Sequence, residues 1–271
     1  GAENYTLQNI LTAEKIVNSM LETYGDVSSI RQVFIDYEST NIKVGQSLKS
    51  SPPWDEVNGN RKVAIDFDNR AALAEYYRED QGNLFSQKSV FNAANSFQAY
   101  AHRKAITQLE NASFEKISGP GIRLNSTLLL RELMKYKSSV RFLGVTEVNE
   151  REHEVLSFVM PNQPALTLFV DKKNKLISKA ERVVGSFLIE YYYDDYRPVS
   201  GIQFPFYTYY QVNGEASQKL RVDSYRINES IDHALVKPKG YTLFEPVTIE
   251  GVKTVTLAKG IYWVTHNDHN S

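Results

Sequence analysis

From Ser186 to Asn228 aromatic and aliphatic residues alternate with polar ones, interrupted only by turn signals at Asp194–Gly201 and at Asn213-Gly214. A period of two is that of a half-buried strand, because successive side chains of an extended chain point to opposite faces. Asn-Gly supplies the two positive-φ positions of a type I′ turn, so Phe204 to Ile227 is read as two adjacent antiparallel strands. Phe187, Ile189 and Tyr191 then share one face of the preceding strand, and Phe204, Phe206 and Thr208 share one face of the next. A series of hairpins of this kind carries an aromatic-rich, mostly apolar face that has to be covered by something.

The rest of the chain supplies candidates for the cover. Leu7, Ile10, Leu11, Ala13, Ile16, Val17, Met20, Leu21 and Tyr24 recur at helical spacing, with Thr6 placed to cap the start and Gly25 to end it. This helix either covers a core or forms the wall of a ligand cavity. A second helix is predicted over Thr127 to about Lys137, capped by Asn125 or Ser126. Its Leu128, Leu129, Leu130, Leu133 and Met134 make it apolar over most of its circumference, so it should be buried on more than one side. Strands are predicted over Ile30–Thr40 and, after the Pro52-Pro53-Trp54 break and an Asn58-Gly59-Asn60 turn, over Arg61–Asp68, where Val63, Ile65 and Phe67 share a face. Ala71–Glu79 leans towards strand, and Gln87–Tyr100 reads as two strands around Asn92–Asn95. A short helix is expected over Ile106–Ile117, followed by a break at Ser118-Gly-Pro-Gly121. From Val140 onward the chain reads as strand after strand, a meander of the sort that makes curved sheets and open barrels.

Composition removes several classes of function. Lys plus Arg is 31 against 32 for Asp plus Glu, so no net field favours nucleic acid. No apolar run approaches the ~20 residues of a membrane-spanning helix. The chain has no cysteine, which excludes disulfides, thiolate metal sites and a cysteine nucleophile. Of the five histidines, His102, His153 and His233 lack a serine or carboxylate at a recognisable catalytic spacing and read as surface residues. Asp194-Asp195 reads as a solvated turn. His266, Asp268 and His269 could bind zinc, but so close to the end of the chain they read as a non-metal tail. No catalytic residue, metal site or cofactor is therefore predicted. Gly1 ahead of Ala2-Glu3-Asn4 reads as a foreign residue before a mature amino terminus, with an export signal removed.

Leu166–Asp171, the return at Leu176–Val184, Tyr191–Tyr196 before Arg197-Pro-Val-Ser-Gly201, and Ile202-Gln-Phe-Pro205 together resemble the periplasmic carriers and receptors of the lipoprotein-sorting system. The resemblance implies an α+β fold, a curved antiparallel sheet forming an incomplete β-barrel covered by a few helices, over residues 1–245. It further implies a periplasmic or otherwise exported protein whose hydrophobic cavity receives a lipid or another apolar small molecule. The positions expected to line that cavity are Ile65, Phe67, Leu129, Leu130, Leu133, Met134, Phe187, Ile189, Tyr191, Phe204 and Phe206, although the same residues could fill a solid core. A second, narrower likeness lies in Val255–Thr265 followed by His269-Asn-Ser271, which is similar to the first strand of a metallo-β-lactamase-fold hydrolase. It implies that 246–271 is a linker and the start of a truncated domain, and that 1–245 is an accessory module for a hydrolase. A structural domain with no small-molecule ligand is the third expectation.

Overall fold

The computed structural model describes residues 2–42, 56–248, 253–258 and 261–265. The Pro52-Pro53-Trp54 break and the His266, Asp268 and His269 cluster lie outside them. The fold is α+β, a large, open, curved antiparallel sheet with few helices, and the chain divides into two compact units.

The first unit comprises Gly1–Ser29 and Arg123–Gly214. It holds helix α1 (Ala2–Tyr24) and helix α3 (Ser126–Lys135) with six strands: β7 (Arg141–Val148), β8 (Arg151–Phe158), β9 (Leu166–Asp171), β10 (Ile177–Val184), β11 (Phe187–Val199) and β12 (Ile202–Val212). Each strand pairs antiparallel with the next in sequence, and β7 is the edge. Helix α3 starts where predicted, the Asn125 side chain accepting from the Leu128 amide, and its Leu128, Leu129, Leu130 and Leu133 have no exposed surface. Its start is tied down by side chains: Thr127 donates to the Gln203 carbonyl and, just ahead of the helix, Thr208 donates to the Leu124 carbonyl and Tyr193 to the Arg123 carbonyl. Helix α1 begins before Thr6, so that residue lies within the helix instead of capping it. Gly25 does end it, at φ +91°, where a Cβ would sit 2.7 Å from the Gly201 carbonyl oxygen.

Strand β11 departs from expectation. The predicted Asp194–Gly201 turn shrinks to Ser200-Gly201, because β11 runs on through Asp195 and keeps one register with β12 from Asp194↔Tyr207 to Tyr196↔Pro205. Asp195, opposite Phe206 between those pairs, takes φ +55° and pairs with Arg197 at 2.7 Å.

The second unit comprises Ile30–Ile122 and the chain from Glu215 onward. Its strands are β1 (Gln32–Ile42), β2 (Glu56–Asp66), β3 (Ala71–Asp80), β4 (Asn83–Phe91), β5 (Ser96–Tyr100), β6 (Ala105–Glu110), β13 (Glu215–Ile227) and β14 (Thr242–Thr248). Their order is β14-β6-β5-β4-β3-β2-β1-β13, antiparallel except for the parallel pair β14–β6. Ala71–Glu79 is strand, as expected. Phe34, Leu73, Val90, Phe97 and Ile106 form a core closed by Ile231 and Leu235. A short hairpin, β15 (Lys253–Ala258) and β16 (Ile261–Thr265), makes a two-stranded sheet of its own. The β12–β13 turn has both positive-φ residues that the Asn-Gly pair predicts, Asn213 at +50° and Gly214 at +80°.

Three expectations in this unit are corrected. Asn58-Gly59-Asn60 is the interior of β2, since Gly59 lets two strands approach: a Cβ there would lie 2.1 Å from the Tyr77 carbonyl oxygen. Ile106–Ile117 is not one helix but β6 followed by helix α2 (Phe114–Arg123). Ser118-Gly-Pro-Gly121 lies inside α2 instead of breaking the chain. Gly121 packs on Val63, whose methyl would be 2.5 Å from an added Cβ, and Ser118 donates to the Phe114 carbonyl.

Candidate functional site

Helix α1 is held differently at its two ends. At the carboxyl end Tyr24 is fully buried, edge-on to Tyr196, with the two phenol oxygens 3.0 Å apart. The Ile177 amide donates to the Tyr24 oxygen at 3.0 Å, and the Tyr196 hydroxyl donates to the Ile177 carbonyl at 2.5 Å. Pairing of β10 with β11 begins only at Lys179↔Tyr192, so these two hydroxyls satisfy backbone groups that have no strand partner there. Ser126, at the start of α3, completes the cluster 2.5 Å from the Tyr196 oxygen. Burial raises the Tyr24 phenol above its ordinary value, against hydrogen bonds from Ser126, Tyr196 and Ile177 that lower it. Burial, helped by the neighbouring Tyr24, raises Tyr196 further. Both groups are therefore neutral donors and acceptors, suited to holding elements together and not to proton transfer near neutral pH.

At the other end the helix presents apolar side chains that nothing in its own unit buries. Leu7 is 55% exposed and Leu11 53%, and Leu143 and Val145 of the edge strand β7 are exposed as well. Asn9 fixes this end to β7, its amide donating to the Phe142 carbonyl at 2.8 Å and its oxygen accepting from the Phe142 amide at 3.0 Å. One side-chain amide thus supplies both hydrogen bonds that a further strand would give to Phe142.

Between the two ends lies a cavity of about 320 Å³. Ile10, Ala13, Glu14, Val17 and Asn18 line it from one face of α1, at the spacings of three and four that stack on a helix. Met134 enters from the last turn of α3, Lys137 and Ser138 from the 3-10 turn that follows, and Val140 and Arg141 from the start of β7. The turn is firmly placed, since Ser139 donates to the Tyr136 carbonyl and accepts from the Val159 amide. The Arg141 guanidinium donates to the carbonyls of Ser138 and Val140, at 3.1 and 2.8 Å. The interior of the cavity is apolar and its rim carries two cations and one carboxylate. Among the described residues Lys137, Arg141 and Glu14 form no ion pair. Apolar walls with a few polar anchors are the usual make-up of a small-molecule pocket.

Of the eleven positions expected to line a cavity, Met134 is at the wall of this one. Leu129, Leu130, Leu133, Ile189 and Phe204 have no exposed surface and Tyr191 has 4%, all within the packed interior of the first unit. Phe187 is half-buried, as is Phe206, whose ring lies under the Arg197 guanidinium at 4.5 Å. Ile65 is fully buried in the second unit, and Phe67 is half-buried there, edge-on to Phe114. The residues that sequence reasoning missed are the short turn after α3 and the rim cations. In the sequence Lys137, Ser138 and Arg141 are ordinary polar residues after a helix, with no signal of their own.

His153 is a correction, being 1% exposed and not a surface residue. Its Nδ1 lies 2.8 Å from the Arg151 carbonyl and therefore carries the proton, which leaves Nε2 to accept from the Ser178 hydroxyl at 2.7 Å. Ser178 is the extra residue of a bulge in β10, between the pairs Ile177↔Val170 and Lys179↔Phe169. A serine bonded to a histidine is how a nucleophile meets its base, but a closed imidazole anchored on a carbonyl reads as a satisfied buried group. Asp171, 4.0 Å from the ring, is paired with Arg151 at 2.6 Å. Burial raises its pKa, yet the Arg151 bond and the amides of Lys173 and Asn174 bring it below the ordinary carboxylate value. No group of three metal-ligating side chains occurs among the described residues.

No protein-family model matches the chain, and no curated protein matches it either. Similarity appears among solved structures. A domain from Vibrio parahaemolyticus assigned to outer membrane lipoprotein sorting superposes with a TM-score of 0.50 at 10% identity, covering 81% of this chain and 94% of that one. A LolA superfamily protein from Nitrosomonas europaea superposes with a TM-score of 0.50 at 13% identity, covering 83% of this chain and 97% of that one. At such identities the likeness to these two structures is one of fold.

Proposed function

We propose that the protein is a non-catalytic binding module that carries a lipid or another apolar small molecule in the periplasm or another exported setting. The observation that carries this reading is the cavity of about 320 Å³ beside α1, apolar inside and polar at its rim. The fold shared with proteins of lipoprotein sorting supports a carrier more than an enzyme, and so does the closed state of the His153 cluster. Native mass spectrometry of gently purified protein, followed by organic extraction, tests it. A co-purifying acyl compound that is lost on Ala13→Trp, with the circular dichroism spectrum unchanged, is the expected result. Protein that comes without such a compound and also fails to take up a fluorescent fatty-acid probe would refute it.

A second reading has one observation in its favour, the separate sheet formed by β15 and β16. In it, residues 246–271 begin a further domain of metallo-β-lactamase type and 1–245 serve as its accessory module. It expects the native gene to continue into a zinc-binding hydrolase, and a gene that ends at Ser271 would remove it.

A further inference from the structure

We infer that the cavity beside α1 takes a single-chain amphiphile with an anionic head, the chain lying among Ala13, Val17 and Met134 and the head meeting Lys137 and Arg141. This deepens the carrier reading and rests on it. The volume, about 320 Å³, is at the low end of the range of small-molecule pockets, roughly 300–1,000 Å³, which suits one alkyl chain better than two. The rim carries two cations against the single carboxylate Glu14, and none of the three is ion-paired among the described residues. Arg141 is also pre-set, since its Nη1 is held by the Ser138 and Val140 carbonyls. A guanidinium fixed in this way keeps further N–H donors for a carboxylate or a phosphate, the oxyanions it fits geometrically. Lys137, on the preceding turn, adds a mobile point charge. A cationic head would meet these two positive groups, and a neutral head would leave them without a counter-charge.

The test compares three ligands with the same alkyl chain: dodecanoate, dodecanol and dodecyltrimethylammonium. Each is titrated into the wild type and into the Lys137→Gln/Arg141→Gln double variant, and acetate is added as a head without a chain. Dodecanoate is expected to bind wild type roughly 2- to 30-fold more tightly than dodecanol, the range for two solvent-exposed charge pairs, and the ammonium compound more weakly still. The double variant should bring dodecanoate down to the level of dodecanol, with dodecanol itself unchanged, and acetate should not compete. Equal binding of dodecanoate and dodecanol in both proteins would overturn the anionic head and leave the apolar cavity standing. Competition by acetate as strong as by dodecanoate would reduce the site to an anion site and overturn the chain. Binding of none of the three would instead remove the carrier reading on which this inference depends.

Discussion

The two ends of α1 are built from the same apolar periodicity and do opposite things. From Met20 to Tyr24 the helix is closed over by α3 and the sheet, and a tyrosine hydroxyl finishes the backbone hydrogen bonding of β10. From Leu7 to Val17 it stands over a cavity, with Leu7 and Leu11 in solvent and Asn9 as its tie to the edge strand. The contrast teaches that one amphipathic helix can be bonded into the packed interior at one end and leave apolar side chains exposed at the other. Opening free energies differ across a structure in this way, and binding surfaces come from the less stable part.

Core truncation should separate the two regions most strongly. Leu129→Ala, in the fully buried helix α3, is expected to cost about 2–5 kcal/mol in urea denaturation. Leu11→Ala, at the open end of α1, should stay within about 0.5 kcal/mol. Comparable losses at both positions would mean that the open end is packed as tightly as the closed one.

Tyr24→Phe should come next. It leaves the Ile177 amide without its acceptor in a buried site, at a cost of about 1–3 kcal/mol, and it should do so without weakening ligand binding at the other end of the helix. The same cluster predicts a pH dependence. Both phenols have folded pKa values raised above 10.0, so their contribution is fully present below pH 10 and is lost as pH rises through the folded values, where the unfolded chain ionises first. Wild type should therefore lose stability above pH 10, and Tyr24→Phe should lose less over the same interval. A variant with an undiminished alkaline slope would place the effect on other groups.

Much of this architecture can be read from residue patterns. Alternation from Ser186 to Asn228 gives β11, β12 and β13, and the Asn213-Gly214 pair gives the turn between the last two, since both signals are local. Helices α1 and α3 follow from spacing and from Asn125 as a cap. The failures share a cause. Gly59 and Gly121 look like breakers, and each is glycine because a distant segment comes too close for a Cβ, which only the assembled structure reveals. Ser178 reads as an ordinary polar residue and is the extra member of a bulge, and Asp195 takes a positive φ within an unbroken strand register. The candidate site was legible in part. The face of α1 and Met134 were in view, while Lys137, Ser138 and Arg141 are common surface types that acquire meaning by their position around the cavity. Of the large aromatic and leucine side chains expected as a lining, Leu129, Leu130, Leu133, Ile189, Tyr191 and Phe204 are buried in the first unit.

The most direct test of the account is where a bound chain lies. A dodecanoate carrying a diazirine at its far end, irradiated in complex with the protein and mapped by peptide mass spectrometry, reports this without assumptions about affinity. The account predicts adducts within Ile10–Asn18 and Met134–Arg141, reduced by Ala13→Trp. Adducts concentrated instead on β11 and β12, among Phe187, Ile189, Phe204 and Phe206, would contradict it and place the ligand within the sheet.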